Sequence, residues 1–117
     1  MKLDKIAEVY KTEPETSTTP QGEPCIKANP GLSAIISSQA RGSFQRRVAE
    51  NLISDGWVVA YLADGKPIRG KAKAYKGRYE ASVRNMMNRI NDMLPGRYHI
   101  ESGPVGVKGG YGYWLSD

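Results

Sequence analysis

The sequence predicts an α+β fold in which helical segments are followed by a C-terminal β-hairpin. Three observations predict it. Val83, Met87, Ile90 and Leu94 recur at helical spacing, so residues 79–94 form an amphipathic helix. Residues 97–102 and 111–115 alternate at the strand period of two around a glycine-rich loop. With 117 residues, the chain suits one domain and is too short for two full ones.

From the N-terminus, Leu3, Ile6, Ala7 and Tyr10 are spaced for one short amphipathic helix. Residues 12–24 are rich in Thr, Pro, Glu and Gly and read as a linker, so residues 1–31 are expected to be a flexible, partly disordered arm before a domain at 32–117. Pro30-Gly31 punctuates its end. Residues 32–54 read as helix in two pieces. Leu32, Ile35 and Ile36 share one face; after Gly42, Ser43 can cap a second helix with Phe44, Val48 and Leu52 on its buried stripe. This extra helical segment either completes the core or forms a dimer contact. Asp55-Gly56 ends it.

Residues 57–62 fit either a strand, which their β-branched members favour, or a short buried helix. Asp64-Gly65 is a turn, 68–75 a short helix, and Gly77 its end. The 79–94 helix stops at Pro95-Gly96, with Ser82, Asn85, Asn88, Arg89 and Asp92 off its apolar stripe. In the hairpin, Tyr98 and Ile100 face one side and His99 and Glu101 the other. The loop at 103–110 is too long for a tight turn. The tyrosines and Trp114 are expected to pack this hairpin against the core.

Charge is concentrated. Net charge is +5, yet residues 66–97 carry nine Lys and Arg against Glu80 and Asp92, a net of +7 that exceeds the whole surplus. A localised basic block is the electrostatic footprint of a phosphate backbone. One cysteine and one histidine exclude an internal disulfide and a zinc site built from those residues alone. No apolar run reaches the roughly 18–20 residues of a membrane span, and the first residues lack a signal-peptide core, so a cytoplasmic location is expected.

The order helix, turn, short helix, turn, long helix, hairpin carries a resemblance. The segments Leu62-Ala-Asp-Gly-Lys-Pro-Ile68, Ser82-Val83, Tyr98-His-Ile-Glu-Ser102 and Gly109-Gly-Tyr-Gly-Tyr-Trp-Leu115 resemble the winged helix-turn-helix family, in the type of the biotin-operon-repressor DNA-binding domain. The match covers about half the chain, residues 57–115. The resemblance implies a three-helix core with a C-terminal wing, helix 79–94 in the major groove of double-stranded DNA and hairpin 97–115 as the wing. Two departures stand out: the second helix is basic at Lys71, Lys73 and Lys76, and Ile90-Asn-Asp-Met-Leu-Pro-Gly96 replaces the usual end of the recognition helix.

Under this reading Ser82, Arg84, Asn85, Asn88 and Arg89 contact bases or nearby phosphates, since Asn pairs with adenine and Arg with guanine in the major groove. Lys66, Arg69, Lys71, Lys73, Lys76, Arg78 and, at the wing tip, Lys108 contact phosphates. The expected function is a small site-specific regulator, a transcriptional repressor, with no cofactor and no metal. A replication or recombination accessory protein is a variant of that reading. The alternative is a protein-binding adaptor or inhibitor on the same scaffold, with the N-terminal arm as the docking segment. A homodimer on a pseudo-palindromic site is left open.

An enzyme is not expected. Gly65-Lys-Pro-Ile-Arg-Gly-Lys71-Ala72 has phosphate-loop spacing, but Ala72 stands where Ser or Thr must hold magnesium, and Pro67 removes one backbone N–H. His99 has no Ser and Asp partners in any recognisable motif.

Overall fold

The structure, a computed structural model, describes residues 13–61, 76–106 and 110–117, with the backbone alone at 61 and 76–80. The order is β1 (Thr16–Thr18), β2 (Pro24–Ile26), α1 (Pro30–Ser38), α2 (Gly42–Asp55), β3 (Trp57–Tyr61), α3 (Lys76–Met93), β4 (His99–Pro104) and β5 (Tyr111–Ser116). The described residues form a small α+β domain with three helices and antiparallel sheets, and the α+β class is the one the sequence predicts. The expected helix over 3–10, the turn at 64–65 and the short helix at 68–75 lie outside the described residues.

Local chemistry accounts for the helices. Asn29 caps α1: its Oδ1 accepts from the Leu32 N–H at 2.8 Å, and Pro30 takes the first position, where a missing N–H costs nothing. Pro30 therefore opens the helix as well as closing the segment before it. At α2 the cap residue is Arg41, with no side-chain cap bond, and not the expected Ser43; instead the Gln45 Oε1 accepts from the Arg41 N–H at 2.8 Å. The α2 helix ends at Gly56, whose φ of +82° is the left-handed conformation glycine tolerates. A Cβ there would also sit 2.5 Å from the Ile26 carbonyl oxygen. The α3 helix begins three residues earlier than the spacing predicts and stops one residue short of Leu94.

Residues 57–61 are a strand, resolving the ambiguity of the sequence. Strand β3 pairs antiparallel with β5, which also pairs with β4, giving the order β3-β5-β4. Trp57 stands opposite Trp114, and Ile100 opposite Leu115. The register slips between Val59 and Tyr61, where Gly112 lets β3 approach so closely that a Cβ would meet the Val58 carbonyl oxygen at 2.1 Å.

One face of this sheet packs on the helices. Leu32, Ile36, Leu52, Val83, Met86, Met87, Ile90 and Leu115 are fully buried there, with Val58, Ala60 and Tyr98. Each such large aliphatic side chain contributes about 1.5–3 kcal/mol on leaving water.

The other face is covered by a layer that composition concealed. Residues 16–26 do not form a disordered arm but a β-hairpin, with Thr16 opposite Ile26 and Thr18 opposite Pro24. Strand β2 packs against β5, and Cys25 joins Val59, Val105 and Trp114 in a second buried cluster. The reason is physical: the far side of the sheet carries Val59 and Trp114, which need cover, and Cys25 supplies it, while the neighbouring Ile26 joins the helix-side core. Thr and Ile are β-formers, and Pro20-Gln21-Gly22 is a turn sequence, with Gly22 at a φ of +99°. The polar residues between hid both signals.

Candidate nucleic-acid interface

The candidate interface is built on α3. Val83, Met86, Met87 and Ile90 bury one face of this helix completely. The opposite face therefore points to solvent, and Arg84, Asn85, Asn88 and Asp92 are exposed on it. Within this stretch Asp92 is the single acid, so the face offers amide and guanidinium donors over about two turns.

The predicted base-contacting residues divide in two. Arg84, Asn85 and Asn88 share the exposed face. Ser82 and Arg89 stand on the flank turned toward α1 and α2, where both are taken up by internal bonds. The Gln45 Nε2 donates to the Ser82 carbonyl at 3.1 Å and to its Oγ at 3.0 Å. Arg89 donates through Nη2 to the Gln39 carbonyl at 2.8 Å and to the Gln45 Oε1 at 3.0 Å. Gln39 ends α1, so the guanidinium sits where the helix dipole favours a cation. Gln45, only 8% exposed, thus links the start of α2 to two turns of α3. Among the described residues no carboxylate pairs with Arg89, and its Nε is buried without a partner. The arrangement is a polar clamp that fixes the angle of α3 against α1 and α2. Gln45 is not among the residues singled out from the sequence; its polarity next to the Val48 and Leu52 stripe is the signal that could have found it.

The junction between α3 and the hairpin is built from residues of the departing segment, Ile90 to Gly96. The Asn91 Oδ1 accepts from the Ile100 N–H at 2.9 Å, and the Tyr98 N–H donates to the Pro95 carbonyl at 2.9 Å. At the far end of β4, the Val105 N–H donates to the Gly110 carbonyl at 3.2 Å and closes the neck of the loop. Trp114 is 8% exposed; its indole lies over Gly103 and it packs with Cys25, Val59 and Val105 in the second cluster, not on the helix-side core.

Of the predicted phosphate contacts, Lys66, Arg69, Lys71, Lys73 and Lys108 lie outside the described residues. Lys76 and Arg78 belong to the first turn of α3. Three further cations, Arg41, Arg46 and Arg47, are exposed on and beside α2; the sequence placed the last two off its buried stripe without assigning them a role.

Elsewhere the ionisable groups serve structure. Arg97 pairs with Asp117 and, at 3.6 Å, with Glu13, and stacks on the Tyr98 ring at 5.1 Å. The guanidinium holds the Asp117 carboxyl below its usual range. His99 bonds Glu101 at 2.7 Å along β4. Burial pushes the Cys25 thiol up, partly offset by a Ser17 hydrogen bond and the nearby Lys27 charge. Among the described residues no three of His, Cys, Asp and Glu gather at metal-binding distance, and no helix is long and apolar enough to cross a membrane. The part of the expected docking arm that is described, residues 13–31, is packed on the body.

No family model, curated protein or solved structure matches this chain.

Proposed function

We propose that the chain is a small double-stranded DNA-binding protein of winged helix-turn-helix type, acting as a site-specific regulator, with α3 entering the major groove and the β4–β5 hairpin as its wing. The observation that carries this reading is the division of α3 into a wholly buried apolar face and an exposed face presenting Arg84, Asn85 and Asn88. Asn and Arg are the side chains that make two-pronged contacts with adenine and guanine edges. The +7 charge of residues 66–97 supports the same reading, because that excess surrounds this helix in the sequence. So does the element order, in which the long helix leads directly into a hairpin whose second strand is held by β3.

The geometry sharpens the residue roles. Arg84, Asn85 and Asn88 are assigned to base contacts. Ser82 and Arg89 are assigned to holding the helix at its docking angle. The cations at 66, 69, 71, 73, 76, 78 and 108 keep their assignment to phosphates, which position the domain without reading sequence. A repressor is the expected regulatory role, because occupancy of a site is sufficient for it.

The test is selection of bound duplexes from a random library, followed by titration of the best site against salt. Affinity should fall steeply with salt, the log–log slope being about −0.9 per phosphate neutralised. Asn85→Ala with Asn88→Ala should flatten the sequence preference by about 1–3 kcal/mol per lost base contact and retain non-specific binding. Equal weakening on all duplexes would remove base reading from α3. Absence of duplex binding at low salt would end the DNA reading and favour a protein-binding role. Paired half-sites about one helical turn apart would identify a dimer.

A further inference from the structure

Three cations stand beside α3 with no carboxylate to offset them among the described residues. From Pro24 to Ala49 the chain holds Lys27, Arg41, Arg46 and Arg47 and no acid. Arg41, Arg46 and Arg47 are exposed, and so is Glu50, the first acid after them. Every ion pair among the described residues belongs to Arg97 or His99, so these three guanidinium groups have none. The clamp on α3 fixes where the first of them stands. The Arg41 N–H and the Arg89 Nη2 both donate to the Gln45 Oε1, at 2.8 and 3.0 Å, and the Gln45 Nε2 reaches Ser82. The Arg41 backbone is therefore one side chain away from the α3 flank that carries Ser82 and Arg89. Asn85 lies in the same row of α3, three residues after Ser82 and four before Arg89, and it is exposed. The α1–α2 junction thus borders the exposed face of α3 on the side of Asn85.

We propose that Arg41, Arg46 and Arg47 form a second phosphate-binding surface, which holds the DNA strand bordering the groove on the α1–α2 side of α3. The inference rests on the DNA-binding reading above and gives these cations a role that the sequence did not assign. An α-helix with its side chains is about 10–12 Å across, and the major groove is about 12 Å wide. A helix seated there fills the groove, so an element packed on its flank meets the phosphates that wall it. Asn91 bonds β4 on one flank of α3, and the Gln45 clamp holds Arg41 against the other. Guanidinium groups suit this position, because they stay charged and bind phosphate oxygens two at a time. A cation with no ion pair to break gains the full benefit of counterion release from DNA. Glu50, about one turn beyond Arg46 on α2, marks the limit of the surface. Such contacts carry no sequence information, so they set affinity and orientation while Arg84, Asn85 and Asn88 read bases.

The experiment compares the full chain with a triple variant, Arg41→Ala with Arg46→Ala and Arg47→Ala, and with the corresponding triple Lys variant. Affinity and its salt slope are measured on the library-selected duplex and on an unrelated one, and folding is checked by circular dichroism. All three side chains are exposed, and Arg41 contacts Gln45 through its backbone N–H, so the fold should survive. The triple Ala variant should lower the salt slope by about two to three, at about 0.9 per phosphate contact. Near physiological salt this weakens binding on the order of a hundredfold, alike on both duplexes. Sequence preference should be unchanged, in contrast to Asn85→Ala with Asn88→Ala. The triple Lys variant should keep most of the slope, because the charge is retained. If the triple Ala variant does not fold, the three single Ala variants carry the test, each expected to lower the slope by about 0.9. A folded triple Ala variant whose slope falls by less than about one, or single variants that all keep the parent slope, would overturn the surface while leaving the α3 reading in place. A triple Lys variant as impaired as the triple Ala variant would also overturn it, since the loss would then lie in packing and not in charge. A parent chain that binds no duplex removes both proposals together, so the two failures are distinct.

Discussion

Single residues in this molecule carry more than their types announce. Gly56 ends α2 with a left-handed φ and leaves room for the Ile26 carbonyl. Gly56→Ala meets both obstacles, so a loss of about 1–3 kcal/mol or more is expected, measured by urea unfolding against the parent. Gln45 and Arg89 act together. Each removes a bond from the other, so Gln45→Ala and Arg89→Ala should each cost about 1–3 kcal/mol, and the double variant less than their sum. Asn85→Ala and Asn88→Ala, on the exposed face, should stay within about 0.5 kcal/mol of the parent. Arg89→Ala as harmless to stability as Asn88→Ala would mean that the clamp contributes nothing.

At the scale of elements, α3 has two different neighbours on its two flanks. Gln45 and Gln39 hold one flank against the ends of α2 and α1, and Asn91 holds the other against β4. Among the described residues the helix is thus held on three sides, and Arg84, Asn85 and Asn88 are exposed on the fourth, which is the side the proposed groove entry uses. Strand β4 is an edge of its sheet. The Ile100 N–H there is taken by Asn91, and Pro104 in the same alternation has no N–H to offer. That edge is poorly suited to pairing with a second chain, so a dimer is expected to use another surface.

At the scale of the whole molecule, the described residues form a sheet between two covers, helices on one face and the N-terminal hairpin on the other. Cys25 reports on the second cover. It is 3% exposed, and burial raises its pKa. Alkylation of Cys25 in the native protein should therefore be much slower than in urea and should track opening of the hairpin. A native rate equal to the unfolded one would show that the hairpin does not stay on the sheet. Because the folded-state value is raised, the neutral thiol's contribution to stability is present below the ordinary thiol range and is lost as pH rises through the raised value.

Periodicity made much of this architecture legible. The stripe Val83, Met87 and Ile90, the stripe Leu32, Ile35 and Ile36, and the alternation through Tyr98, Ile100, Tyr113 and Leu115 are strong local patterns, and each marks a buried face in the structure or packs against one. The exposed amides of α3 follow from the same arithmetic, since residues off the stripe of a helix face away from its core. Other features depend on contacts distant in sequence. Arg89 is a groove candidate by spacing and a helix clamp by structure, because Gln39 and Gln45, 50 and 44 residues away, reach it first. Residues 16–26 look like linker by composition and become a covering layer because Trp114 and Val59, far along the chain, leave a face that must be dry. Spacing and composition set which faces are apolar and where charge concentrates. Which polar groups stay exposed depends on the folded arrangement, because hydrogen bonds between distant residues consume some of them and periodicity carries no record of that.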